Sequence, residues 1–376
     1  MSTRKAIADA KRVVVKIGSS SLTTPDGLLD LEAIELLVAA VVGAINSGRE
    51  IVLVTSGAIA AGRGSMGWPK RQLDLATQQA LASIGQGLLI REYQVRFAEH
   101  GIKVAQVLLT ADNMVRRAHY NNSRQTLAKL MDMGVIPIVN ENDTVATEEI
   151  RFGDNDRLAA VVCQLVDADA LVLLSDVEGL YDRAPSATGA QLIAEVSDFG
   201  RLAEVELAPP ARDGVGVGGM ASKVEAASIA SSAGLPVVIA KAESADRALA
   251  GDEVGTVFVP QAKSKSDRQM WLAHATTSRG RLFLDAGAEA AVRERQASLL
   301  PAGVTSADGE FLAGDAVDLI GADGVAFARG LVAFDSAELP LLLGRKTGEL
   351  SAAHGEAFGR ELVHRDDLVL LTPAKP

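Results

Sequence analysis

Cysteine is nearly missing from this 376-residue chain: there is one, Cys163. No internal disulfide can form, which fits a reducing, cytoplasmic setting. Cys163 falls inside an apolar helical pattern, where a thiol is inert rather than nucleophilic. Aromatic residues make up only 4%, so the interior must be built from Ala, Val and Leu. The five histidines (100, 119, 274, 354 and 364) never pair at H-E-x-x-H spacing, which argues against a zinc site. Long apolar runs are also missing. The richest, Leu36–Ile45, is ten residues, well short of the roughly 18 that a membrane helix needs. The opening MSTRKAIADAKR has no apolar signal core, so a secretory leader is not expected. Basic charge is in deficit, with 37 Lys/Arg against 48 Asp/Glu and a net of −11. A general polyanion binder carries a basic face. A small anionic ligand held by a few local lysines remains compatible.

What is present is an alternation of short apolar strands and amphipathic helices. Val13–Ile17 reads as a buried strand ended by Gly18. Asp30 reads as an N-cap, before a helical stripe of Leu31, Ile34, Leu37, Val38, Val41 and Ile45 that Gly48 closes. Strands are expected at 51–54, 104–109, 135–139, 170–174, 237–239 and 256–259, and helices at 77–97, 122–133, 157–165 and 222–232. Continuous apolar strands between helices imply a parallel or mixed sheet covered on both faces. The polar stretch QAKSKSDR (261–268) reads as a linker. Beyond it the segments turn short and Gly-rich, with strands expected at 280–284, 314–320, 330–334 and 367–371. That is a change of fold class. The domain reading is 1–262, a linker at 263–277, and a small β-rich domain at 278–376.

Polar groups gather where the strands end. After Val135–Val139 come Asn140, Glu141, Asn142 and Asp143, then Gly153, Asp154, Asn155 and Asp156. In open α/β sheets, ligands bind beyond the carboxyl ends of the strands. Lys16 sits in VVVKIGSSS, and a Lys in an apolar strand is costly unless its ammonium meets a partner. It is either an edge-strand Lys reaching solvent or a phosphate-binding Lys beside the amides of Gly18 and Ser19. GVGVGGMASK (214–223) pairs a Gly-rich stretch (Val217, Gly218, Gly219) with a helix start (Met220, Ala221, Ser222, Lys223) that favours phosphate. It is neither a Walker A loop nor a clean dinucleotide fingerprint. Alone it reads as a flexible connection; with Lys16 it reads as a polyphosphate cradle. Ser175-Asp176 ends a strand in LVLLSDVEGLYD, either capping a turn or contacting a nucleotide. Ser56-Gly57, in VTSGAIAAGRG, is an ordinary N-cap or a site for a carboxylate or transferred phosphoryl group. No G-x-S-x-G elbow is present, which disfavours a serine hydrolase.

Five segments in this order, VVVKIGSSSLT (13–23), VTSGAIAAG (54–62), PIVNENDTVATEEIRFGDND (137–156), LLSDVEGLYD (173–182) and GVGGMASK (216–223), resemble the amino acid kinase family, and within it the glutamate-phosphorylating branch. GRLFLDAGAEAAV (280–292), SLLPAGV (298–304) and ARGLVAFDS (328–336) resemble a PUA domain, a tail that this branch commonly carries. The resemblance implies a three-layer αβα sandwich with a mainly parallel central sheet, plus the PUA-like domain. It implies phosphorylation of the L-glutamate γ-carboxylate by ATP with Mg²⁺, as the first step of proline synthesis. Feedback inhibition by proline and a homo-oligomer, dimer or tetramer, are family traits. Carried over residue by residue, Lys16 and Lys223 would neutralise the phosphates and Asp156 would hold both lysines. Ser56, Asp143 and Asn155 would bind glutamate, with Gly57, Asn140 and Asp154 beside them. Ser175, Asp176 and residues 217–223 would contact ATP. Glutamate's ammonium wants acceptors such as Asp143; its carboxylates want donors such as the Ser56 region and Asn155. Thr144–Arg151 would form a flap over the amino acid. Ser175 stands where a Thr is frequent, and Val217 replaces a frequent Thr in the Gly loop, losing a hydroxyl.

Rival readings are weighed by the same residues. Aspartate, N-acetylglutamate, carbamate or nucleoside monophosphate kinases share the fold, but the Asn/Asp-rich 140–156 segment and the tail favour glutamate. RNA binding through the tail is disfavoured: residues 278–376 hold 10 Lys/Arg and 15 Asp/Glu, a net of −5. A dinucleotide-dependent dehydrogenase fails for want of G-x-G-x-x-G after the first strand.

Overall fold

The first strand, β1 (Arg12–Ile17), is buried from Val13 onward and lies mid-sheet, which explains its near-continuous β-branched run. The computed structural model describes residues 2–24, 26–68, 73–110, 117–145, 155–185, 187–199, 219–261, 278–355 and 358–371. Two compact units are present, Met1–Ser264 and Lys265–Pro376. The linker expected at 263–277 lies outside the described residues.

In the first unit the strands are β1, β2 (Glu50–Val54), β3 (Lys103–Leu109), β4 (Val135–Glu141), β5 (Ala170–Ser175), β6 (Glu195–Val196), β7 (Val237–Lys241) and β8 (Thr256–Phe258). Their order across the sheet is β3-β4-β2-β1-β5-β7-β8-β6. Every described pairing is parallel except β7 with β8. The chain leaves β1 toward β2 on one side and β5 on the other. That reversal opens a crevice at the carboxyl ends of the central strands, where Lys16 pairs in register with Val54 and Leu173.

The pleat sorts β1 by face. Val13, Val15 and Ile17 join a core with Ile34, Leu37, Val38 and Val41 of the Leu31–Asn46 helix and Leu89, Tyr93 and Phe97 of the Leu75–Glu99 helix. Val14 and Lys16 face the other way, toward the Asn155–Leu165 helix, where Asp156 meets Lys16. Apart from Arg157, that helix is buried on every side, Cys163 included. Burial pushes the Cys163 thiol well above its ordinary pKa, so it stays protonated and inert. Asp30 caps the Leu31–Asn46 helix by accepting from Ala33 N, and Gly48 follows with φ +88°.

Among the helices that escape the periodicity reading are Thr3–Ala8 and Ala58–Ser65. Thr3–Ala8 is short, and its Arg4 guanidinium donates to the carbonyls of Asp252, Val254 and Gly255. Ala58–Ser65 is Ala- and Gly-rich because it lies against Leu75–Glu99 at backbone contact distance. A Cβ on Gly62 would fall 1.9 Å from Leu81 O, and one on Gly85 would fall 1.8 Å from Ala58 O.

The second unit holds β9 (Gly280–Leu284), β10 (Val304–Asp308), β11 (Ala316–Ile320), β12 (Ala326–Val332) and β13 (Val363–Leu370), ordered β10-β9-β11-β12-β13. The sheet is antiparallel except for β9 against β11. Leu282, Val317, Leu319, Phe327, Leu342 and Leu362 fill its core. The expected strand at 330–334 begins earlier, at Ala326, because its pairing with β11 starts at Ile320. That at 367–371 begins at Val363, where Leu299 and Val332 both meet it.

Gly62→Ala is expected to lower unfolding stability by about 1–3 kcal/mol through overpacking, read as a lower urea midpoint with an unchanged slope.

Candidate active site

Two polar centres meet at the start of the Asn155–Leu165 helix. The first is built on Asp156, which is completely buried. Its Oδ1 lies 2.5 Å from Lys16 Nζ and its Oδ2 lies 3.1 Å from Lys223 Nζ. Ser222 Oγ lies 3.3 Å from Oδ2 and 2.8 Å from Gly219 O, and its one hydrogen serves the nearer carbonyl. Lys16 is 1% exposed and Lys223 7%, so the solvent-reaching edge-strand reading of Lys16 does not hold. Its ammonium lies over the turn after β1, where a Cβ on Gly18 would sit 3.6 Å from Nζ. Lys223 comes from the first turn of the Met220–Ser232 helix, whose N-cap is Gly219. Its leading backbone N–H groups have no intrahelical acceptor and stand beside the two ammoniums. Both ammoniums thus flank Asp156 at a helix start, a setting that favours an anion.

The second centre is an amide network. Asn155 Nδ2 lies 2.6 Å from Thr55 O, 2.7 Å from Asn140 Oδ1 and 2.9 Å from Ser56 Oγ. Asn140 Nδ2 donates to Gln86 Oε1 at 2.8 Å, and its Oδ1 also accepts from Glu141 N at 2.9 Å. Thr55 Oγ1 and Tyr93 OH share a 2.9 Å hydrogen bond. Burial pushes the Tyr93 phenol far up, so it stays neutral. Gly57, at φ +102°, turns the chain into the Ala58–Ser65 helix and is itself the N-cap. The ordinary N-cap reading of Ser56 is thereby corrected: a left-handed turn at Gly57 frees the Ser56 hydroxyl for Asn155.

A third polar group flanks these. Ser175, buried at the end of β5, donates to Asp176 Oδ1 at 3.1 Å. Both line a pocket of about 440 Å³ with Ser20, Thr23, Asp30 and Lys241. Asp143 is half-buried in the turn beyond β4.

The model of the amino acid kinase family matches residues 11–241, and that of the PUA domain matches 280–352. The glutamate 5-kinase of Streptomyces avermitilis is 56% identical over 99% of this chain and 100% of its own length. That of Salinispora arenicola is 57% identical over 98% and 100%, and that of Bifidobacterium animalis subsp. lactis 49% over 98% and 98%. The chain belongs to the glutamate 5-kinase branch of the amino acid kinase family. A solved UMP kinase from Bacillus anthracis covers 67% of this chain and 97% of its own at a TM-score of 0.46 and 14% identity, too distant to argue from.

In this amino acid kinase, Lys16, Lys223, Asp156 and Ser222 stand together, with Gly219, Met220 and Ala221 at the same helix start. Ser56, Gly57, Asn140 and Asn155 stand together beside them. Val217, Gly218 and Asp154 lie outside the described residues, as do residues 146–151 of the expected flap. Asn140 is 1% exposed, with its amide spent on Gln86, Asn155 and Glu141. Sequence reasoning misses Thr55, Gln86 and Tyr93. Tyr93 repeats the spacing of Leu81, Leu89 and Phe97 and so reads as core; Gln86 reads as a solvated helix position. Nothing in their local sequence separates them from those roles.

Asp156→Asn keeps the shape but removes the charge that both ammoniums face. Breaking a buried ion pair in this way costs about 3–5 kcal/mol. The expected outcome is a melting temperature lowered by several degrees together with loss of activity.

Proposed function

We propose that this chain transfers the γ-phosphoryl group of ATP to the γ-carboxylate of L-glutamate. The product is γ-glutamyl phosphate, and the reaction is the first step of proline synthesis. The observation that carries the reading is the Lys16–Asp156–Lys223 triad, set one residue from an amide network built for a small polar ligand. The near-full-length identity to glutamate 5-kinases supports the choice of substrate.

Phosphoryl transfer needs positioning and neutralised charge more than a covalent protein group. A carboxylate acceptor is already ionised near neutral pH, so no general base is required. Each ammonium has three N–H donors, and both ammoniums lie against Asp156, placed to serve phosphate oxygens. Lys16 is positioned by the end of β1, and Lys223 by the helix that follows the Gly-rich segment. Val217, Gly218, Gly219, Met220, Ala221 and Ser222 contribute backbone N–H donors to the same anion. Ser175 and Asp176 face the nucleoside. Ser56, Gly57, Asp143, Asn155 and Asp154 surround glutamate, and Asn140 orients Asn155.

Among the described residues, no group of three or more His, Cys, Asp or Glu side chains could hold a metal ion. Mg²⁺ keeps several waters and uses substrate phosphates as ligands, so it is read as arriving on ATP, where it would screen the phosphate charge. Inhibition by proline, assembly as a homo-oligomer (dimer or tetramer) and a cytoplasmic location complete the reading. No helix among the described residues is long and apolar enough to cross a membrane. Residues 1–262 form the kinase domain and 278–376 the PUA-like domain, whose acidic balance argues against RNA binding.

The test is hydroxamate formation from L-glutamate with ATP, Mg²⁺ and hydroxylamine. An ATP-dependent product from L-glutamate that proline suppresses is expected, with none from aspartate or N-acetylglutamate. Absence of product from L-glutamate contradicts the assignment. Lys223→Ala is expected to lower kcat at least about a hundredfold, the scale of losing one charge-stabilising donor, with an unchanged circular dichroism spectrum.

A further inference from the structure

The hydrogen-bond polarity of the amide network is set by backbone groups that cannot exchange roles. Thr55 O can only accept, so the atom of Asn155 lying 2.6 Å away must be the amide nitrogen. Turned over, the side chain would set two oxygens against each other at that distance. Glu141 N can only donate, so the Asn140 atom 2.9 Å away must be Oδ1. Asn140 Nδ2 then faces Gln86 Oε1 at 2.8 Å. The two N–H groups of Asn155 Nδ2 are taken up by the two nearest acceptors, Thr55 O and Asn140 Oδ1, and its Oδ1 is directed elsewhere. Among the described residues Oδ1 accepts no hydrogen bond. Ser56 Oγ lies 2.9 Å from the same nitrogen, which offers no lone pair, so the hydroxyl hydrogen points away from it and can donate to a ligand.

We infer that Asn155 reads the ammonium group of the amino-acid substrate through Oδ1, and that Gln86 is the positioning residue that holds the Asn140–Asn155 pair, whose polarity the backbone sets, in place. The inference rests on the glutamate reading above and reverses the expectation that Asn155 donates to a carboxylate. An ammonium carries three donors and no acceptor, so it is drawn to a carbonyl oxygen and repelled by an amide N–H. The Ser56 hydroxyl is the matching donor for a carboxylate. A zwitterion thus meets an acceptor and a donor side by side, and a diacid without an amino group meets an acceptor it cannot satisfy. Gln86 stands two turns from Tyr93 on the Leu75–Glu99 helix. One helix therefore sets the network from both ends, at Asn140 through Gln86 and at Thr55 through Tyr93. Without an acceptor at position 86, the Asn140 amide is left buried with an unmet hydrogen. The pair then relaxes and no longer holds the Asn155 oxygen toward the ligand.

The experiment compares the KM of L-glutamate with the inhibition constant of glutarate, which has both carboxylates and no amino group. Gln86→Leu is expected to reduce the preference for glutamate over glutarate about tenfold, the scale of one hydrogen bond to a charged group. Gln86→Glu keeps an acceptor in place and is expected to retain the preference. In both variants the KM for ATP stays at the wild-type value. Gln86 is only partly buried and Leu is a strong helix former, so the fold survives, as a urea midpoint checks. Equal weakening of glutamate and glutarate in Gln86→Leu, or an unchanged ratio, overturns the inference. A wild-type protein that does not turn over L-glutamate overturns the substrate reading instead.

Discussion

Two lysines share one buried carboxylate, and the rest of the first unit is arranged to make that tolerable. An ammonium taken out of water is costly unless a counter-charge and hydrogen bonds replace the lost hydration. Asp156 offers one oxygen to each of Lys16 and Lys223. On the proposed reading, an anionic ligand meets both ammoniums at this point. A parallel sheet suits this arrangement. It brings the end of β1 and the starts of two helices from distant parts of the chain to one edge, where the helix dipoles add to the same field.

Asn155 and Asp156 are adjacent, and through them the lysine–carboxylate centre and the amide network share one helix start. The first turn of Asn155–Leu165 points one side chain at the lysines and the other at Ser56, Thr55 and Asn140. Rigidity comes from behind. That helix is buried almost throughout, and the Leu75–Glu99 helix reaches the amide network through Gln86 and Tyr93. The same long helix packs against Ala58–Ser65 at a distance only glycine allows at positions 62 and 85. Packing that looks remote from the chemistry thus fixes the geometry of Ser56 and Asn155.

Much of this arrangement is legible in the amino-acid sequence. Strands with a single apolar run and helices with a clear stripe are readable because burial on both faces leaves an unmistakable pattern. Asp30 announces a helix start because a carboxylate before an apolar stripe has little else to do. Lys16 stands out because a charge inside such a strand demands a partner. What stays hidden lacks a local signal. Ala58–Ser65 shows no apolar periodicity, because its neighbour touches it through backbone. The polarity of Asn155 depends on Thr55 O and Glu141 N, groups that every residue carries. Gln86 acquires its part only from a side chain 54 positions away. In the tail, strand starts at Ala326 and Val363 are set by cross-strand partners rather than by their own composition.

The proposed transfer turns on Asp156 holding Lys16 and Lys223 where both can serve the phosphates at once. The decisive measurement is a crystal structure with a non-hydrolysable ATP analogue and L-glutamate. Both Nζ atoms are expected within hydrogen-bond reach of phosphate oxygens while each keeps its contact with Asp156. A phosphate chain bound away from either lysine, or a lysine that abandons Asp156 to reach it, would contradict that arrangement.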